Sequence, residues 1–442
     1  MLPAFAGDGV AHDWLQTFLE GRNHMTTRRN FLKSMSFSTL AFPRLAQWNF
    51  EKTKAFDFEV PKPDDPFFWK KVRKLYLLPE DKAFFNTGTL GAQPAVVYET
   101  VVEHMRKVAA DIAEWDYKGD DWITGYQPYR IIRGKLGALM NASTDEISLT
   151  ENAHMGMNIA ANGLDYQPGD EILGTDVEHP GGRYGWESKV RRYKVVYRQV
   201  PMPKPLRDPE EVIALFRNAF TEKTKVLAVA HVVSSTGAVF PVKELCAEAR
   251  SRGIFTIIDG AQALGQVKVD VKDIGCDAYY SSMHKWLCAP AGNGVLYVRK
   301  ERVKEIWTTN ASGQWNNHED EGYRLQQRGT GNLSILMGLN ASIDFHNRIG
   351  SERIIGRIKE LGDYLRSGLK EIPRVMINTP LHPAMCAGIT NYQVEGLEGT
   401  TMQDAMWAKG IRIRGNRQST HIFNSKEEIE ASLAVVRQLA AR

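Results

Sequence analysis

Short apolar runs alternate with longer amphipathic stretches between residues 146 and 298. The short runs hold about four to eight residues, are rich in β-branched and aromatic side chains, and predict strands. In chain order they read EISLT, EILGT, VVYRQV, VLAVAHV, FTIIDG, DAYYSS and GVLYV. Between them, MGMNIAANGL reads as a helix start, and PEEVIALFRNAF and PVKELCAEARSRG also predict helices. This alternation predicts βαβ units and a mostly parallel sheet that helices cover on both faces.

From about Asn332 the pattern changes to two long stretches, ILMGLNASIDFHNRIG and ERIIGRIKELGDYLRSGLKEI, which predict helices. Short strands are predicted near Ala387–Val394 and Ile411–Arg414. We therefore expect a smaller α/β domain at the C-terminus. The predicted organisation is an N-terminal extension with a signal-like segment (1–50), a segment that packs with the small domain (51–83), a large domain (84–331) and a small domain (332–442).

The N-terminal region has a different character and is left out of the fold prediction. From Met25 it reads MTTRRNFLKSMSFSTLAFPRLA, with the pair Arg28-Arg29 followed by Phe31-Leu32-Lys33. This segment resembles the bacterial twin-arginine export signal, [ST]-R-R-x-F-L-K, which a receptor reads and which carries folded cargo. The resemblance implies export to the periplasm by that machinery. The alternative is a frayed basic tail on a cytoplasmic protein.

Composition excludes several classes of partner. The chain has 442 residues, 43% of them hydrophobic and 24% charged, which fits a globular protein of two or three domains. The net charge is +4 without a dense basic run beside aromatic residues, so no nucleic-acid partner is expected. No apolar run has the length of a membrane span. The cysteines are too widely spaced for a disulfide framework or a zinc site, and no metal is expected; they are Cys246, Cys276, Cys288 and Cys386.

Chemically unusual residues follow the predicted strands. In parallel sheets, ligands bind beyond the carboxyl ends of the strands, so these positions are the candidates for a site. They are Asp259 to Gln262 after FTIID, His284 and Lys285 after DAYYSS, His179 after EILGTDVE, and Ser234 to Thr236 after VLAVAH. A carboxylate at the end of an apolar strand is costly to bury without a positive partner. One interpretation of Asp259 and Lys285 is therefore a structural ion pair.

A second interpretation accounts for more of these residues. The lysine forms a Schiff base with the aldehyde of pyridoxal 5'-phosphate, and the carboxylate keeps the ring nitrogen protonated. In the sequence, DGAQALGQ precedes SSMHKWLCAPAGNGVLYV, in which Lys285 stands before a glycine-rich turn and a strand. These paired motifs resemble the class V aminotransferases among the fold-type I pyridoxal phosphate enzymes. That family includes cysteine desulfurases, selenocysteine lyases, kynureninases and isopenicillin N epimerase-like proteins.

The resemblance covers residues 84–298 well and the remainder loosely. It implies a large domain with a mostly parallel seven-stranded sheet and a smaller C-terminal α/β domain. It also implies roles for the residues at the strand ends. Lys285 matches the Schiff-base lysine and acid/base, and Asp259 matches the partner of the pyridine nitrogen. Gln262 matches the contact to the phenolic oxygen of the ring, and His179 matches the imidazole that stacks on the ring face.

The cofactor phosphate is expected at the start of a helix. TENAHMGMN resembles the phosphate-binding turn, where free N–H groups and the helix dipole favour an anion, and it places Ala153 and His154 at the key positions. Relatives usually carry a hydroxyl residue in place of His154, although an imidazolium could also bind phosphate. Ser282 and His284 match side chains that complete the site. Ser234 is a further candidate contact to the cofactor.

Other matches imply a partner subunit and a substrate contact. Thr330, in RGTGN, resembles a threonine that reaches the phosphate of the neighbouring subunit, which implies a homodimer with shared active sites. Arg414, in GIRIRG, matches the arginine that binds the carboxylate of a small amino-acid substrate. Arg412 is the alternative, because side chains two apart on a strand point the same way.

The type of reaction is left open. Desulfurases of the most similar type carry a nucleophilic cysteine shortly after the carboxylate-binding arginine, but this chain reads GNRQST, with Ser419 near that place. HKW and STHIFNSKEEIE resemble the isopenicillin N epimerase-like branch, so an aminotransferase or an epimerase is expected, with a β-lyase as the alternative. An epimerase needs a second acid/base, for which His179, Tyr126 and Tyr184 are candidates. A binding or structural protein without chemistry is the hypothesis from another class.

Overall fold

The computed structural model describes residues 58–110 and 128–441, so the twin-arginine segment and Tyr126 lie outside the described residues. The described residues belong to one compact unit. Its helices are α1 (Phe68–Arg73), α2 (Ala95–Ala110), α3 (Arg130–Met140), α4 (Ala153–Gly163), α5 (Pro180–Tyr193), α6 (Pro209–Ala219), α7 (Val242–Arg250), α8 (Val271–Ile274), α9 (Glu321–Leu325), α10 (Leu333–Ile349), α11 (Ser351–Lys370), α12 (Gly399–Ala408) and α13 (Lys426–Ala440).

The strands of the large sheet are β2 (Ile147–Thr150), β3 (Glu171–Thr175), β4 (Val196–Val200), β5 (Thr224–Ala230), β6 (Phe255–Asp259), β7 (Ala278–Ser282) and β8 (Gly294–Val298). The remaining strands are β1 (Ala83–Phe84), β9 (Val375–Ile377), β10 (Ile389–Val394), β11 (Ile411–Arg412) and β12 (Arg417–Ser419). None of the helices in the described part of the chain is long and apolar enough to cross a membrane.

The large sheet has seven strands in the order β2-β8-β7-β6-β5-β3-β4. Pairing is parallel from β4 across to β7, whereas β8 is antiparallel to both β7 and β2. Apolar cores lie on both faces, as the neighbours Ile257 and Ile258 show by joining different clusters. Successive strand side chains point to opposite faces, so both faces of β6 are buried. This sheet confirms the predicted fold class.

Strand β6 brings its carboxyl end beside that of β7. Their register pairs Asp259 with Tyr280, two residues before β7 ends at Ser282. The chain then needs only three more residues to reach Lys285, so both predicted reactive groups lie at one edge of the sheet. Helix α4 begins at Ala153, because the Oδ1 of Asn152 accepts a hydrogen bond from the Met155 N–H at 2.9 Å and caps the helix.

The C-terminal part has its own sheet and a smaller core. Strands β12, β10 and β9 form an antiparallel sheet, and β1 pairs in parallel with β11. Leu361 and Leu365 on α11 belong to this smaller core, whereas Leu336 and Leu339 on α10 belong to the main core. Helix α10 thus packs with the main core although it follows residue 331, and the domain boundary between 331 and 332 stays a prediction.

Candidate active site

A cavity of about 600 Å³ lies beyond the carboxyl ends of β5, β6 and β7. Most of the predicted site residues meet there: Ala153, His154, His179, Ser234, Asp259, Gln262, Ser282, His284, Lys285 and Arg414. The other lining residues are Gly88, Thr89, Asn152, Gly181, Gly182, Ala230, Val232, Ala261, Tyr280 and Arg417. Thr330 and Arg412 are absent from the lining.

Lys285 and Asp259 share this cavity without direct contact. The Nζ of Lys285 makes no hydrogen bond or ion pair with any described residue. Burial lowers the pKa of Lys285 to about 8, although the charge of Asp259 opposes this. Burial likewise raises the pKa of Asp259, opposed by the Ala261 N–H, which donates to its Oδ1 at 2.8 Å, and by Lys285. Both groups are therefore shifted towards their neutral forms.

Two glycines allow the backbone to come close to this pair. A Cβ on Gly91 would lie 2.0 Å from the carbonyl oxygen of Lys285, and the Gly91 N–H donates to the His284 carbonyl at 2.7 Å. A Cβ on Gly182 would lie 2.7 Å from the Oδ2 of Asp259. Side chains at these positions would push the lysine loop or the carboxylate out of place, so the glycines keep the space around both reactive groups open.

His179 caps the start of α5. Its Nδ1 accepts a hydrogen bond from the Gly181 N–H at 3.0 Å, so the neutral ring carries its proton on Nε2. Partial burial lowers the pKa of His179, and the positive charge of Lys285 lowers it further. The ring is therefore neutral at neutral pH, with an N–H donor available on the side away from its own helix.

The start of α4 offers backbone donors, but the His154 side chain is already engaged. Its Nδ1 lies 2.9 Å from the Gly181 carbonyl, and its Nε2 lies 3.2 Å from the Nδ2 of Asn158. Asn158 Nδ2 also donates to the His154 carbonyl, which identifies it as nitrogen and therefore as the donor to Nε2. Both ring nitrogens of His154 therefore already have partners within the chain, and a contact between this ring and the cofactor phosphate stays a prediction.

Backbone and small side chains complete the anion site. The His154 N–H has no acceptor among the described residues, and the Ala153 N–H donates to the Oγ of Ser282 at 3.0 Å. The Nδ1 of His284 is buried without a hydrogen-bond partner in the described structure. Burial lowers the pKa of His284 to about 4, so the ring is neutral and can donate one N–H.

Gln262 has a fixed orientation because of Trp286, whose role the sequence did not reveal. The indole Nε1 donates to the Gln262 Oε1 at 2.8 Å, and the Gln262 Nε2 donates to the Gly88 carbonyl at 2.8 Å. An indole N–H is a donor only, so it selects the amide oxygen and leaves the amide nitrogen towards Gly88. The second N–H of that amide stays available to an acceptor in the cavity.

The structure separates the two arginines proposed from the sequence. Arg414 lines the cavity, but Arg412 donates to the Trp407 carbonyl at 2.9 Å and stacks on its ring at 5.1 Å. Strand β11 ends at Arg412. The alternation that would place Arg412 and Arg414 on one face therefore does not continue between them.

Arg417 lines the cavity and was missed by the sequence analysis. Its guanidinium donates to the Ser234 carbonyl at 3.0 Å and to the Thr89 Oγ1 at 2.8 Å. The antiparallel bridge between Arg414 and Arg417 explains why both reach the site. The sequence signal was the presence of three arginines within six residues, Arg412, Arg414 and Arg417. Only the turn that pairs Arg414 with Arg417 shows which two of them reach the cavity.

The remaining candidates lie outside the cavity. Thr330 is exposed, and Tyr184 is exposed with its ring against Arg183. Ser419 is fully buried behind Gly88, whose added Cβ would lie 2.9 Å from the serine Oγ. All four cysteines are buried free thiols, and none lines the cavity. The described residues therefore place no thiol or Ser419 hydroxyl at the site.

The cavity fits pyridoxal phosphate by the chemistry of its donors. Lys285 offers an amine that burial brings close to neutrality, and Asp259 offers a carboxyl group for a protonated ring nitrogen. His154 contributes a free N–H at a helix start, and the Nδ1 of His284 is a buried polar atom without a partner. No group of His, Cys, Asp and Glu in the described residues could hold a metal ion.

Residues 84–438 match the class V aminotransferase family. The chain belongs to this family. It is a pyridoxal phosphate-dependent enzyme, which confirms the cofactor expected from the sequence. An isopenicillin N epimerase from Streptomyces clavuligerus is 30% identical over 389 residues, which cover 82% of this chain and 96% of the relative. A probable cysteine desulfurase from Halalkalibacterium halodurans is 26% identical, covering 79% and 90% of the two chains.

A comparison with solved structures also finds a pyridoxal phosphate-containing protein that is similar to this class V enzyme. A mutant of the protein C-DES, with glycine covalently linked to its pyridoxal phosphate, aligns with a TM-score of 0.75 and 25% identity. The alignment covers 83% of this chain and 98% of the other. The family and the cofactor are thus established, whereas the relatives include enzymes of more than one reaction type.

Proposed function

We propose that this class V enzyme moves a proton at the α-carbon of an amino acid, as an aminotransferase or an epimerase of the isopenicillin N epimerase-like type. The observation that carries the proposal is the unpaired amine of Lys285, which shares a cavity with Asp259 and two arginines but with no thiol. A proton-transfer enzyme needs this base and a carboxylate clamp. A desulfurase of the most similar type needs a nucleophilic sulfur in addition.

When bound, pyridoxal phosphate supplies an aldehyde and an electron-withdrawing ring. Lys285 binds the cofactor and, once its amine is free, removes the proton from the α-carbon. A pKa of about 8 suits this work, because a substantial share of the amine is neutral near physiological pH. Asp259 contributes the negative charge that keeps the ring nitrogen protonated, and Gly182 leaves its carboxylate accessible.

His179 is the proposed second acid for an epimerase. Its Nδ1 accepts a hydrogen bond from the Gly181 N–H, so the neutral ring presents Nε2–H as a hydrogen-bond donor. Transfer of a proton to the α-carbon would use the imidazolium form of this ring. Of the two candidates that the structure describes, His179 lines the cavity and Tyr184 does not. Tyr126 lies outside the described residues and stays an alternative. In an aminotransferase, the His179 ring serves only to stack on the cofactor.

The experiment that tests this proposal follows both products in deuterated water. A panel of L-amino acids is incubated with the loaded enzyme, and α-deuterium incorporation, chirality and keto-acid release are measured together. Isotope entry with inversion and without keto acid identifies an epimerase, and keto-acid release identifies an aminotransferase. Release of a β-substituent with pyruvate or a related acid would support the β-lyase alternative. No isotope exchange with any amino acid would contradict the proposal.

A homodimer with shared active sites is also proposed. Thr330 is exposed and lies outside the cavity of its own chain, as the predicted contact to a neighbouring phosphate requires. Mixing Lys285→Ala and Thr330→Val subunits tests the idea, because a shared site would regain cofactor-dependent activity in the mixed dimer. A monomeric mass in solution, or a mixture no better than its parts, would exclude it.

Export through the twin-arginine machinery remains a proposal based on residues 25–43. Replacement of Arg28 and Arg29 by lysine is expected to keep the protein in the cytoplasm of a bacterium that has this machinery. Cell fractionation of the native chain and the Lys-Lys variant measures the difference. Equal cytoplasmic retention of both chains would favour the basic-tail alternative.

A further inference from the structure

Two arginines line the cavity, but they are held in different ways. Arg417 is fixed from one side by the Ser234 carbonyl and the Thr89 hydroxyl. Arg414 is exposed, and its guanidinium makes no hydrogen bond or ion pair with any residue that the structure describes. The antiparallel bridge between their backbones, with N···O distances of 3.2 and 2.9 Å, holds the two residues together.

Arg417 is the arginine near the reacting groups. It lies against Gly88, where an added Cβ would be 3.4 Å from its guanidinium, and the Gly88 carbonyl accepts a hydrogen bond from Gln262 at 2.8 Å. The charge of Arg417 also lowers the pKa of both Lys285 and His179. Burial lowers the pKa of Arg417 itself to about 10, and the charge of Arg414 adds to this effect. The α-carboxylate of a substrate must lie within two bonds of the α-carbon that Lys285 deprotonates, so Arg417 is placed to bind it.

The charges that line the cavity do not balance. Of the described lining residues, Lys285, Arg414 and Arg417 are basic, whereas Asp259 is the one acid. Under the proposed function Asp259 faces the ring nitrogen of the cofactor and Arg417 faces the α-carboxylate. Arg414, which is exposed, is then left without a carboxylate partner among the described residues and can bind a further anion.

We propose that the substrate is an amino acid with a second carboxylate, whose α-carboxylate binds Arg417 and whose distal carboxylate binds Arg414. This inference rests on the proposed function and adds the class of substrate. A guanidinium binds a carboxylate through two parallel hydrogen bonds, so each arginine suits one carboxylate. Cofactor phosphate is the other anion that Arg414 could serve, and the experiment separates the two.

The test compares acids with their amides, which have nearly the same size. Glutamate is paired with glutamine and aspartate with asparagine, and kcat/KM for α-proton exchange is measured for each. If Arg414 makes a charge-assisted contact to the distal carboxylate, kcat/KM for the preferred acidic amino acid should exceed kcat/KM for its amide by about 30-fold. In Arg414→Gln the ratio of acid to amide should fall to about one. Arg412→Gln is the matched control, because Arg412 is bound to Trp407 outside the cavity, and it should leave the ratio unchanged.

Two further measurements on arginine variants test the inference. Arg417→Gln should lower kcat/KM for the acid and the amide alike, because both share the α-carboxylate. The affinity of the cofactor-free Arg414→Gln protein for pyridoxal phosphate, measured by fluorescence quenching, should equal that of the native chain. Weaker cofactor binding would assign Arg414 to the phosphate and overturn the inference.

Equal kcat/KM for acids and amides in the native enzyme would also overturn the inference but leave the proposed function intact. Failure of every amino acid to exchange its α-proton would instead contradict the proposed function. Raising the ionic strength should reduce the preference of the native enzyme for the acid, because Arg414 is exposed to solvent and its charge is screened by salt.

Discussion

Two pairs of opposite charges, Arg133 with Asp320 and Lys285 with Asp259, differ in their hydrogen bonds. Arg133, Asp320 and Asp259 are buried, and Lys285 is partly buried. The Arg133 guanidinium is fully buried, contacts both oxygens of Asp320, and donates to the carbonyls of Ile147 and Thr144 at 2.7 and 2.9 Å. The amine of Lys285 has no such partner among the residues that the structure describes. We call Arg133 and Asp320 the saturated pair, because every guanidinium nitrogen of Arg133 has an acceptor. We call Lys285 and Asp259 the open pair.

The pKa shifts show what this difference does. Burial would raise the pKa of Asp320, but its hydrogen bond to Arg133 and the two nearby arginine charges lower the pKa overall. For Asp259 burial prevails and raises the pKa. A saturated pair keeps both of its charges, and loss of one partner would leave the other charge buried and unpaired, whereas an open pair keeps groups that can exchange protons. The comparison therefore separates a structural ion pair from a reactive one.

Removal of the Lys285 amine should have the largest effect on activity. Lys285→Ala is expected to abolish the visible band of the loaded enzyme and to lower the rate of α-proton exchange by about 10²–10⁴-fold or more, because the base is lost. Lys189→Ala is the matched control, since Lys189 is also buried but donates to Asn162 outside the cavity. The visible absorbance and the rate of α-proton exchange are measured for both variants. An unchanged band in Lys285→Ala would contradict the assignment.

Breaking the saturated pair should mainly affect stability. Asp320→Asn leaves the Arg133 charge buried without a full partner and is expected to lower the free energy of unfolding by about 3–5 kcal/mol. Asp259→Asn should change it by no more than about 1 kcal/mol, because Asp259 has no ion-pair partner among the described residues whose buried charge would be left uncompensated. Urea denaturation of the cofactor-free chains measures both. Equal losses of unfolding free energy in Asp320→Asn and Asp259→Asn would show that the two pairs do not differ in their contribution to stability.

The pH dependence of cofactor capture should report the open lysine. Only the neutral amine attacks an aldehyde, so the capture rate rises with pH through the pKa of Lys285. We expect a midpoint near pH 8 rather than near the ordinary lysine value of about 10.4. Asp259→Asn should move the midpoint lower, because it removes a charge that raises the lysine pKa. Stopped-flow absorbance measures the rate, and an upward shift would reverse the sign argued for Asp259.

The orientation of Gln262 should have the smallest effect. Trp286→Phe removes the donor to Oε1 and is expected to weaken cofactor binding by about 1 kcal/mol, roughly fivefold, because the amide is no longer held in one orientation. Trp186→Phe is the control, since the Trp186 indole is buried without a hydrogen-bond partner in the described structure. In a Gln262→Leu background, Trp286→Phe should cause no further loss of cofactor affinity, because the amide that the indole orients is already absent. An equal loss in both backgrounds would assign Trp286 to packing alone.

Sequence patterns predicted the parts of the site that regular strands position. Asp259 ends β6 and Lys285 follows β7 by three residues, so strand periodicity and parallel topology place both at one edge. Runs such as EILGT and GVLYV match β3 and β8 residue for residue. These features depend on local chain geometry, which a single sequence contains.

The C-terminal arginines show what a sequence cannot give. Strand alternation put Arg412 and Arg414 on one face, but β11 ends at Arg412, and the bridge between Arg414 and Arg417 brings a different pair to the cavity. The partners of His154 and Gln262 likewise come from α5 and from the chain after β7. Such contacts join segments that are distant in sequence, so spacing alone does not predict them.

Borohydride reduction of the loaded enzyme, followed by peptide mass spectrometry, tests the central claim most directly. Reduction fixes the cofactor to whichever amine holds it. The account predicts one modified peptide, with the label on Lys285, at a stoichiometry of one cofactor per chain. Label spread over surface lysines, label on another buried lysine such as Lys189, or no label at all would contradict it.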